Sequence, residues 1–271
     1  MRGLGGILAG QGGRVCASAL AFFMAAVLVS THAAAATVDL EYDAFVLGFP
    51  ALTFDFRLDQ SEAAYHVAGS AHTNGIADMV VSYRLVTHTD GRVIGGKLEP
   101  TEEASQSRRN GVEHMMQLDY EGATVHARLT PAPDKMAPAE QIAGTIDPAT
   151  AALAAGRVLA ATGRCDQRIK VFDGHQRYDL VLADAGEARL EHGLGIYNGA
   201  AHRCRLDLIK IDETQHEDSQ TKSTPAVVWF AILDPLLPPV PVQIDFTSHW
   251  GAATVALTRV QPATAMAGAR P

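Results

Sequence analysis

The densest group of polar side chains in the sequence lies in the segment 171–180. It contains Asp173, His175, Arg177, Tyr178 and Asp179, which together could supply an acid, a base and an anion clamp. The spacing favours a structural interpretation. Asp173 is followed by glycine, a pair typical of tight turns, and on a following strand Arg177 and Asp179 would share one face while Tyr178 occupies the other. We therefore predict a hairpin here and no catalytic site.

Histidine is the residue type most suggestive of a metal site, with 11 in the chain. Zinc sites usually draw on close pairs such as H-x-H on a strand or H-x-x-x-H on a helix. The histidines of this chain after residue 36 are scattered and lie mostly beside polar residues, so we predict no metal site and no cofactor. They are His66, His72, His88, His114, His126, His175, His192, His202, His216 and His249.

Nucleophile and phosphate-binding motifs are also missing from the sequence. There is no G-x-S-x-G elbow and no Walker-type loop, the signatures of common hydrolases and nucleotide-binding proteins. The carboxylate pairs Glu102-Glu103 and Glu217-Asp218 are expected in polar loops, where nothing would desolvate them and separate their pKa values. We predict no catalytic residue and a protein that is not an enzyme.

The first 36 residues have the composition of an export signal. Arg2 and Arg14 precede an apolar run over 15–29, and alanines at 33–36 form a cleavage-like site, the order found in secretory signal peptides. A membrane anchor is the alternative, but the run is shorter than the roughly 20 residues of a spanning helix. We predict cleavage near Ala36, a single domain over 37–260, a disordered tail over 261–271, no membrane span in the mature chain, and a location in the periplasm of a Gram-negative bacterium.

The charge of the mature chain excludes one class of partner. The 22 basic residues include Arg2 and Arg14, so 20 remain against 30 acidic ones, a net charge of −10. A surface of this sign repels phosphate backbones, and no basic cluster with interleaved aromatics interrupts it. Nucleic-acid binding is not expected.

Cys165 and Cys204 are the two cysteines that remain after cleavage. An even count of cysteines in an exported protein predicts that they form a disulfide. Neither lies in a C-x-x-C motif, so a reactive thiol pair is not indicated.

The dominant hydrophobic period of the mature chain is two. In the segment 53–59, Phe54, Phe56 and Leu58 fall on one face and polar residues on the other, which predicts a strand with one buried side. Similar segments recur to residue 260, and glycine turns are expected at Asp90-Gly91, Asn110-Gly111, Glu121-Gly122 and Asp173-Gly174. This pattern predicts a mainly β fold, an antiparallel meander.

One segment, 147–163, has helical signals instead. Asp147 is a suitable N-cap, Pro148 suits the first helical position, alanines fill the interior, and Gly163 is a suitable terminator. We predict one inserted helix that covers or plugs the curled sheet.

A meander of a dozen strands cannot stay flat, because strand twist curls it into a closed, open or spiral-like β-barrel. An apolar interior of this kind could hold an acyl chain or an apolar peptide, or its side chains could interdigitate and leave no space. The aromatic residues predicted to line the cavity are Phe45, Phe54, Phe56, Tyr83, Phe230 and Phe246.

Several segments of the chain together resemble a bacterial exported family named domain of unknown function 3108. They are 42–49 (YDAFVLGF), 144–151 (GTIDPATA), 163–165 (GRC), 171–180 (VFDGHQRYDL) and 197–204 (YNGAAHRC). The resemblance implies a curled antiparallel sheet reminiscent of lipoprotein-carrier folds, and the paired cysteines match it. It implies no catalytic residue.

The expected function is therefore that of a periplasmic, non-enzymatic cell-envelope protein. It would bind an apolar ligand, a lipoprotein or its acyl chain in the barrel interior and support envelope integrity. Two alternatives remain: a periplasmic hydrolase with an unrecognised site, and a scaffold or interaction protein without a ligand.

Overall fold

A computed structural model describes residues 36–134, 136–191, 193–211, 223–235, 237–248 and 250–262. All of them lie in one compact unit. Of the predicted signal peptide only Ala36 is among the described residues, and of the predicted tail only Gln261 and Pro262, which end the last strand. The rest of both segments lies outside the described part.

The described residues form thirteen strands and three helices. In chain order these are β1 (Ala36–Val46), β2 (Phe49–Gln60), β3 (Ala64–Thr73), α1 (Gly75–Val80), β4 (Tyr83–Ile94), β5 (Lys97–Arg109), β6 (Val112–Glu121), β7 (Thr124–Thr130), α2 (Ala139–Ile142), α3 (Pro148–Thr162), β8 (Gln167–Phe172), β9 (Arg177–Leu190), β10 (Gly199–Lys210), β11 (Ser223–Ala231), β12 (Val240–Ser248) and β13 (Gly251–Pro262).

All thirteen strands belong to one antiparallel sheet. The order is β7-β6-β5-β4-β3-β2-β1-β13-β12-β11-β10-β9-β8. Strands adjacent in sequence therefore pair with each other, except β7 and β8, which form the two edges, and β1 also pairs with β13. The mainly β fold and the antiparallel meander predicted from the period of two are confirmed. The additional pair joins the first strand to the last and makes the two halves of the chain one sheet.

The sheet curls strongly enough to bring its two edge strands together. Phe172 of the edge strand β8 packs in a cluster with Val125 of the other edge strand, β7, and with Leu118 of β6 and Ile142 of α2. The segment before α3 connects the same two edges, because the Gly144 amide donates to the carbonyl of Ala123 (2.7 Å) and Ile146 pairs with β8. The result is an open, barrel-like sheet.

Helix α3 lies on one face of this sheet, which we call the inner face. Its predicted signals are confirmed: the Asp147 carboxylate accepts a hydrogen bond from the Thr150 amide, and Gly163 ends the helix at a φ of 68°, which glycine tolerates without strain. Gly156 packs against the backbone of Pro239, where a Cβ would lie 2.0 Å from the carbonyl oxygen. The helix therefore fills part of the interior, as predicted. Among the described residues, no helix has the length and apolarity needed to span a bilayer.

One predicted turn is wrong. Asp90 and Gly91 lie inside β4, and the chain reverses at Gly95 and Gly96 instead. A Cβ on Gly91 would meet the ring of Tyr65 at 2.2 Å, so this glycine makes room for an aromatic ring on the neighbouring strand. The other three glycine turns, at residues 110–111, 121–122 and 173–174, connect strands as predicted.

Candidate functional site

The inner face divides into two parts along the strand direction. The β1–β2, β3–β4, β5–β6 and β12–β13 connections lie at the same end of the sheet, which we call the upper end. We call the opposite end the lower end. Towards the lower end the inner side chains are fully packed against one another and Leu153 of α3. The buried residues of this lower part include Val38, Leu40, Leu58, Tyr65, Val67, Val242 and Leu257.

Towards the upper end, large apolar side chains on the same face remain partly exposed. Strand register places Phe54 beside Ala71, and Ala71 beside Leu85, while Phe246 of β12 lies beside Ala226 of β11. We call this set the upper inner surface. Its partly exposed members are Phe54, Phe56, Leu85, Leu206, Leu208, Ile244 and Phe246.

Five of the six predicted lining residues occupy inner-face positions. Phe54 and Phe56 stack with ring centroids 6.3 Å apart, and Tyr83 and Phe246 are partly exposed at the upper end. Phe230 is 3% exposed in the cluster beneath α3, so it belongs to the packed core.

The prediction for Phe45 is wrong. In β1 the inner positions are the even-numbered ones, Leu40 and Tyr42 among them, and Phe45 alternates with them on the outer face. A run of mixed apolar residues, 44–47, surrounds it, so the alternation that would fix its face is not visible in the sequence at that point.

The rim at the upper end also exposes apolar side chains. The β1–β2 and β12–β13 connections are tied by a hydrogen bond from the Leu47 amide to the carbonyl of Ala252 (2.9 Å), and a bond from the Asn74 amide to the carbonyl of Ala51 (3.1 Å) ties α1 to β2. Helix α1 itself has no buried residue. The exposed rim residues are Leu47, Phe49, Ile76, Met79, Val80 and Trp250, each at least 62% exposed.

A polar cluster that sequence reasoning missed lies at the N-terminus of α3. The Asp147 carboxylate is fully buried, and one of its oxygens accepts hydrogen bonds from the Thr150 amide (2.8 Å) and the Thr89 hydroxyl (3.1 Å). The Tyr65 hydroxyl lies 2.7 Å from that of Thr150. These bonds tie α3 to β3 and β4, and burial raises the pKa of Asp147.

Glu103 extends this cluster and corrects the expectation that the Glu102-Glu103 pair lies in a polar loop. It is on the inner face of β5, paired with Thr89 and Leu118, and is 7% exposed. Burial, with the nearby charges of Asp147 and Asp173, raises the pKa of Glu103 to about 9. The carboxyl is therefore protonated at neutral pH. Alternation along β5 could have predicted the burial of Glu103, because the odd-numbered residues of this strand lie opposite the inner residues of β4 and β6.

The segment 171–180 forms the predicted hairpin, with β8 and β9 on either side of the turn. The Asp173 carboxylate accepts hydrogen bonds from the amides of His175 (2.9 Å) and Gln176 (2.7 Å) in the β8–β9 turn. Arg177 and Asp179 form an ion pair with both side chains about 95% buried, 2.5 Å between nitrogen and oxygen. This pair lies outside the inner face.

Cys165 and Cys204 form the predicted disulfide, with both residues fully buried. Cys165 follows α3 and Cys204 lies in β10, so the bond fastens the C-terminal end of the helix to the sheet. Beside it, His202 Nε2 lies 2.5 Å from Asp184 Oδ1, and this hydrogen bond lowers the pKa of Asp184. In the described part of the chain, Cys165, Asp184 and His202 are the single group of potential metal ligands, and the sulfur of this group is oxidised.

The outer face carries a groove of about 440 Å³ across β13 and β1–β4. Its charged residues are largely paired: Arg57 lies 3.3 Å from Asp39, and Arg259 pairs with Glu41. It lacks the convergent, desolvated groups of a catalytic site, so the inner face is the better candidate.

Comparison with known proteins supports the fold and gives the family. A crystal structure titled as a beta-barrel-like protein of domain of unknown function DUF1849 from Brucella abortus is similar, with a TM-score of 0.51, 8% identity, and coverage of 85% of this chain and 98% of that one. At that identity the likeness concerns the fold alone. Comparison with curated proteins gave no match. The model of the family described as protein of unknown function (DUF3108) matches residues 38–258, and the chain therefore belongs to that family.

Proposed function

We propose that this protein is a periplasmic, non-enzymatic envelope protein that holds an apolar chain, such as the acyl chain of a lipid or lipoprotein, against its upper inner surface. The observation that carries the proposal is the partial exposure of Phe54, Leu85 and Phe246 on a face whose lower part is fully packed. Apolar surface of this kind gains free energy when a ligand covers it, roughly 25 cal/mol per Å².

The exposed rim provides a route for such a ligand. An acyl chain is poorly soluble in water and passes between apolar environments, and the rim residues Leu47, Phe49 and Met79 border the upper end of the inner face. Clusters of exposed apolar residues commonly mark interaction sites. The ligand would enter from this end, since α3 and the β11–β12 connection occupy the lower part.

The buried acids favour this function over hydrolysis. Glu103 and Asp147 are the convergent carboxyl groups of the interior, but they are 7% and 0% exposed, and Asp147 already caps α3. A hydrolytic site needs its acid and base within hydrogen-bonding reach of a substrate. The periplasmic location is supported by the composition of segment 1–36 and by the disulfide, because such bonds persist in oxidising compartments.

Two adjacent residues on opposite faces of β4 provide the test. Leu85 lies on the upper inner surface, whereas Val86 points outward and is 63% exposed. We expect Leu85→Asp to abolish binding of a fluorescent fatty-acid probe and Val86→Asp to leave it unchanged, because only the first places a charge in the apolar surface. Thermal unfolding of both variants controls for folding.

Lipid mass spectrometry of protein purified from its envelope fraction identifies the natural ligand. Equal probe affinity in the two variants would contradict the proposal. Release of a fatty acid from an ester by the wild-type protein, lost in Glu103→Gln, would instead favour the hydrolase.

A further inference from the structure

The disulfide lies among side chains that can bind a metal ion once its sulfurs are reduced. Cys165 Sγ, a carboxylate oxygen of Asp184 and a ring nitrogen of His202 all lie within 4.8 Å of one another. The sulfur is 3.6 Å from Asp184 Oδ1, and Cys204 supplies a second sulfur bonded to the first. The ligand atoms of Cys165, Asp184 and His202 thus converge, and reduction of the disulfide would free the Cys204 sulfur beside them.

This donor set suits one metal in particular. Tetrahedral coordination by thiolates, imidazole and carboxylate is typical of zinc, whose bonds to these ligands are about 2.0–2.3 Å long. In the oxidised protein neither sulfur is a thiolate, so the two cysteines cannot act as metal ligands.

We propose that reduction of the Cys165–Cys204 disulfide creates a zinc site formed by Cys165, Cys204, His202 and Asp184. A dithiol reductant supplies the two electrons and two protons: the protein S–S bond breaks, two protein S–H groups form, and the reductant becomes a disulfide. Zinc binding then displaces both thiol protons, which pass to solvent.

The surroundings of Asp184 orient its carboxylate for this role. Arg164 Nη1 lies 3.7 Å from Oδ2, and the Asp184 amide donates to Asp166 Oδ1 at 2.9 Å. Oδ1 therefore faces the cysteine and His202. Outer partners of this kind fix the geometry of metal ligands, and the Arg164 charge offsets the excess negative charge of two thiolates and a carboxylate around one dication.

Zinc would preserve the attachment that the disulfide provides. Cys165 follows α3 and Cys204 lies in β10, so a bound ion keeps the helix end on the inner face while the sulfurs are reduced. The side chains of His202 and Asp184 are 14% and 13% exposed, which leaves a path for the ion from solvent.

The test uses cobalt(II) as a spectroscopic substitute for zinc. The mature protein is reduced with a phosphine under anaerobic conditions, desalted and titrated with cobalt(II). We expect one equivalent to bind with the thiolate-to-cobalt charge-transfer band and the visible bands of tetrahedral coordination, to be displaced by zinc, and to be absent from the oxidised protein. Zinc should also raise the thermal midpoint of the reduced form only.

Variants separate this site from binding by thiols alone. His202→Ala and Asp184→Asn keep the disulfide, so circular dichroism of the oxidised forms checks their fold. We expect each to weaken cobalt binding by about ten-fold or more, whereas His175→Ala, an exposed residue of the β8–β9 turn, should behave as wild type. Three results would each overturn the proposal. They are an unchanged cobalt affinity in His202→Ala and Asp184→Asn, no cobalt binding by the reduced wild-type protein, and an equal cobalt affinity when the protein is denatured.

Discussion

The lower and upper parts of the inner face consist of the same residue types but differ in what covers them. Leu257 in the lower part is completely buried beneath packed neighbours, whereas Leu85 in the upper part is partly exposed. The difference arises because α3 and the β11–β12 connection cover the lower part, where Gly156 packs on Pro239. Helix α3 thus divides one apolar surface into a core that stabilises the fold and a partly exposed surface, to which the proposed ligand would bind.

The two ends of α3 are also held differently. At one end a covalent bond joins Cys165 to Cys204, and at the other Asp147, Thr89 and Thr150 form hydrogen bonds among buried groups. The first attachment is sensitive to reductant and the second to pH. The position of the helix, and with it the division of the inner face, can therefore be perturbed from either end.

The largest expected effect follows removal of the covalent attachment. Cys165→Ala combined with Cys204→Ala should lower the free energy of unfolding by roughly 4 kcal/mol, because a loop of 39 residues is no longer closed in the unfolded chain. Urea unfolding of the mature protein measures this loss. A loss below about 1 kcal/mol would mean that packing alone holds α3 on the sheet.

A matched pair of truncations compares the two parts of the inner face directly. Leu257→Ala should destabilise the fold by about 3 kcal/mol, because a fully buried leucine leaves a cavity. Leu85→Ala, the same change at a partly exposed position, should cost about 1 kcal/mol. Equal losses in urea unfolding would show that the upper part is packed as tightly as the lower.

The pH dependence of stability tests the other end of the helix. Because the pKa of Glu103 is raised from 4.5 to about 9, the folded state holds a proton that the unfolded state releases between these values. Stability should therefore fall as pH rises through this window, by at most about 1.4 kcal/mol per pH unit from this group. Glu103→Gln should flatten the decline in thermal midpoint between pH 5 and 8.

Glu102→Gln provides the control for that prediction, since Glu102 is the adjacent residue and its side chain is 41% exposed on the outer face. It should retain the wild-type decline. If the thermal midpoint of Glu103→Gln declined with pH as in the wild type, Glu103 would have to be ionised in the folded protein. An ionised carboxylate at this buried position would require a cationic partner.

Local patterns along the chain were sufficient to predict most of the architecture. The period of two in β2 and the glycine turns gave an antiparallel meander, and the caps Asp147 and Gly163 gave α3 with its bounds, because these features depend on residues close in sequence. The turn predicted at Asp90-Gly91 was wrong because Gly91 leaves space for the ring of Tyr65. This contact joins two strands and cannot be read from neighbouring residues. The prediction for Phe45 was wrong because the face of a strand residue depends on register.

The sequence alone determined the strand pattern, the inserted helix, the paired cysteines and the acidic charge, since each follows from residue types and their spacing. Only the tertiary structure decided which apolar residues are covered, that Glu103 is buried beside Asp147, and that Asp184 and His202 flank the disulfide. These groups lie on different strands or on a strand and a helix, and the curl of the sheet that brings them together is a property of all thirteen strands.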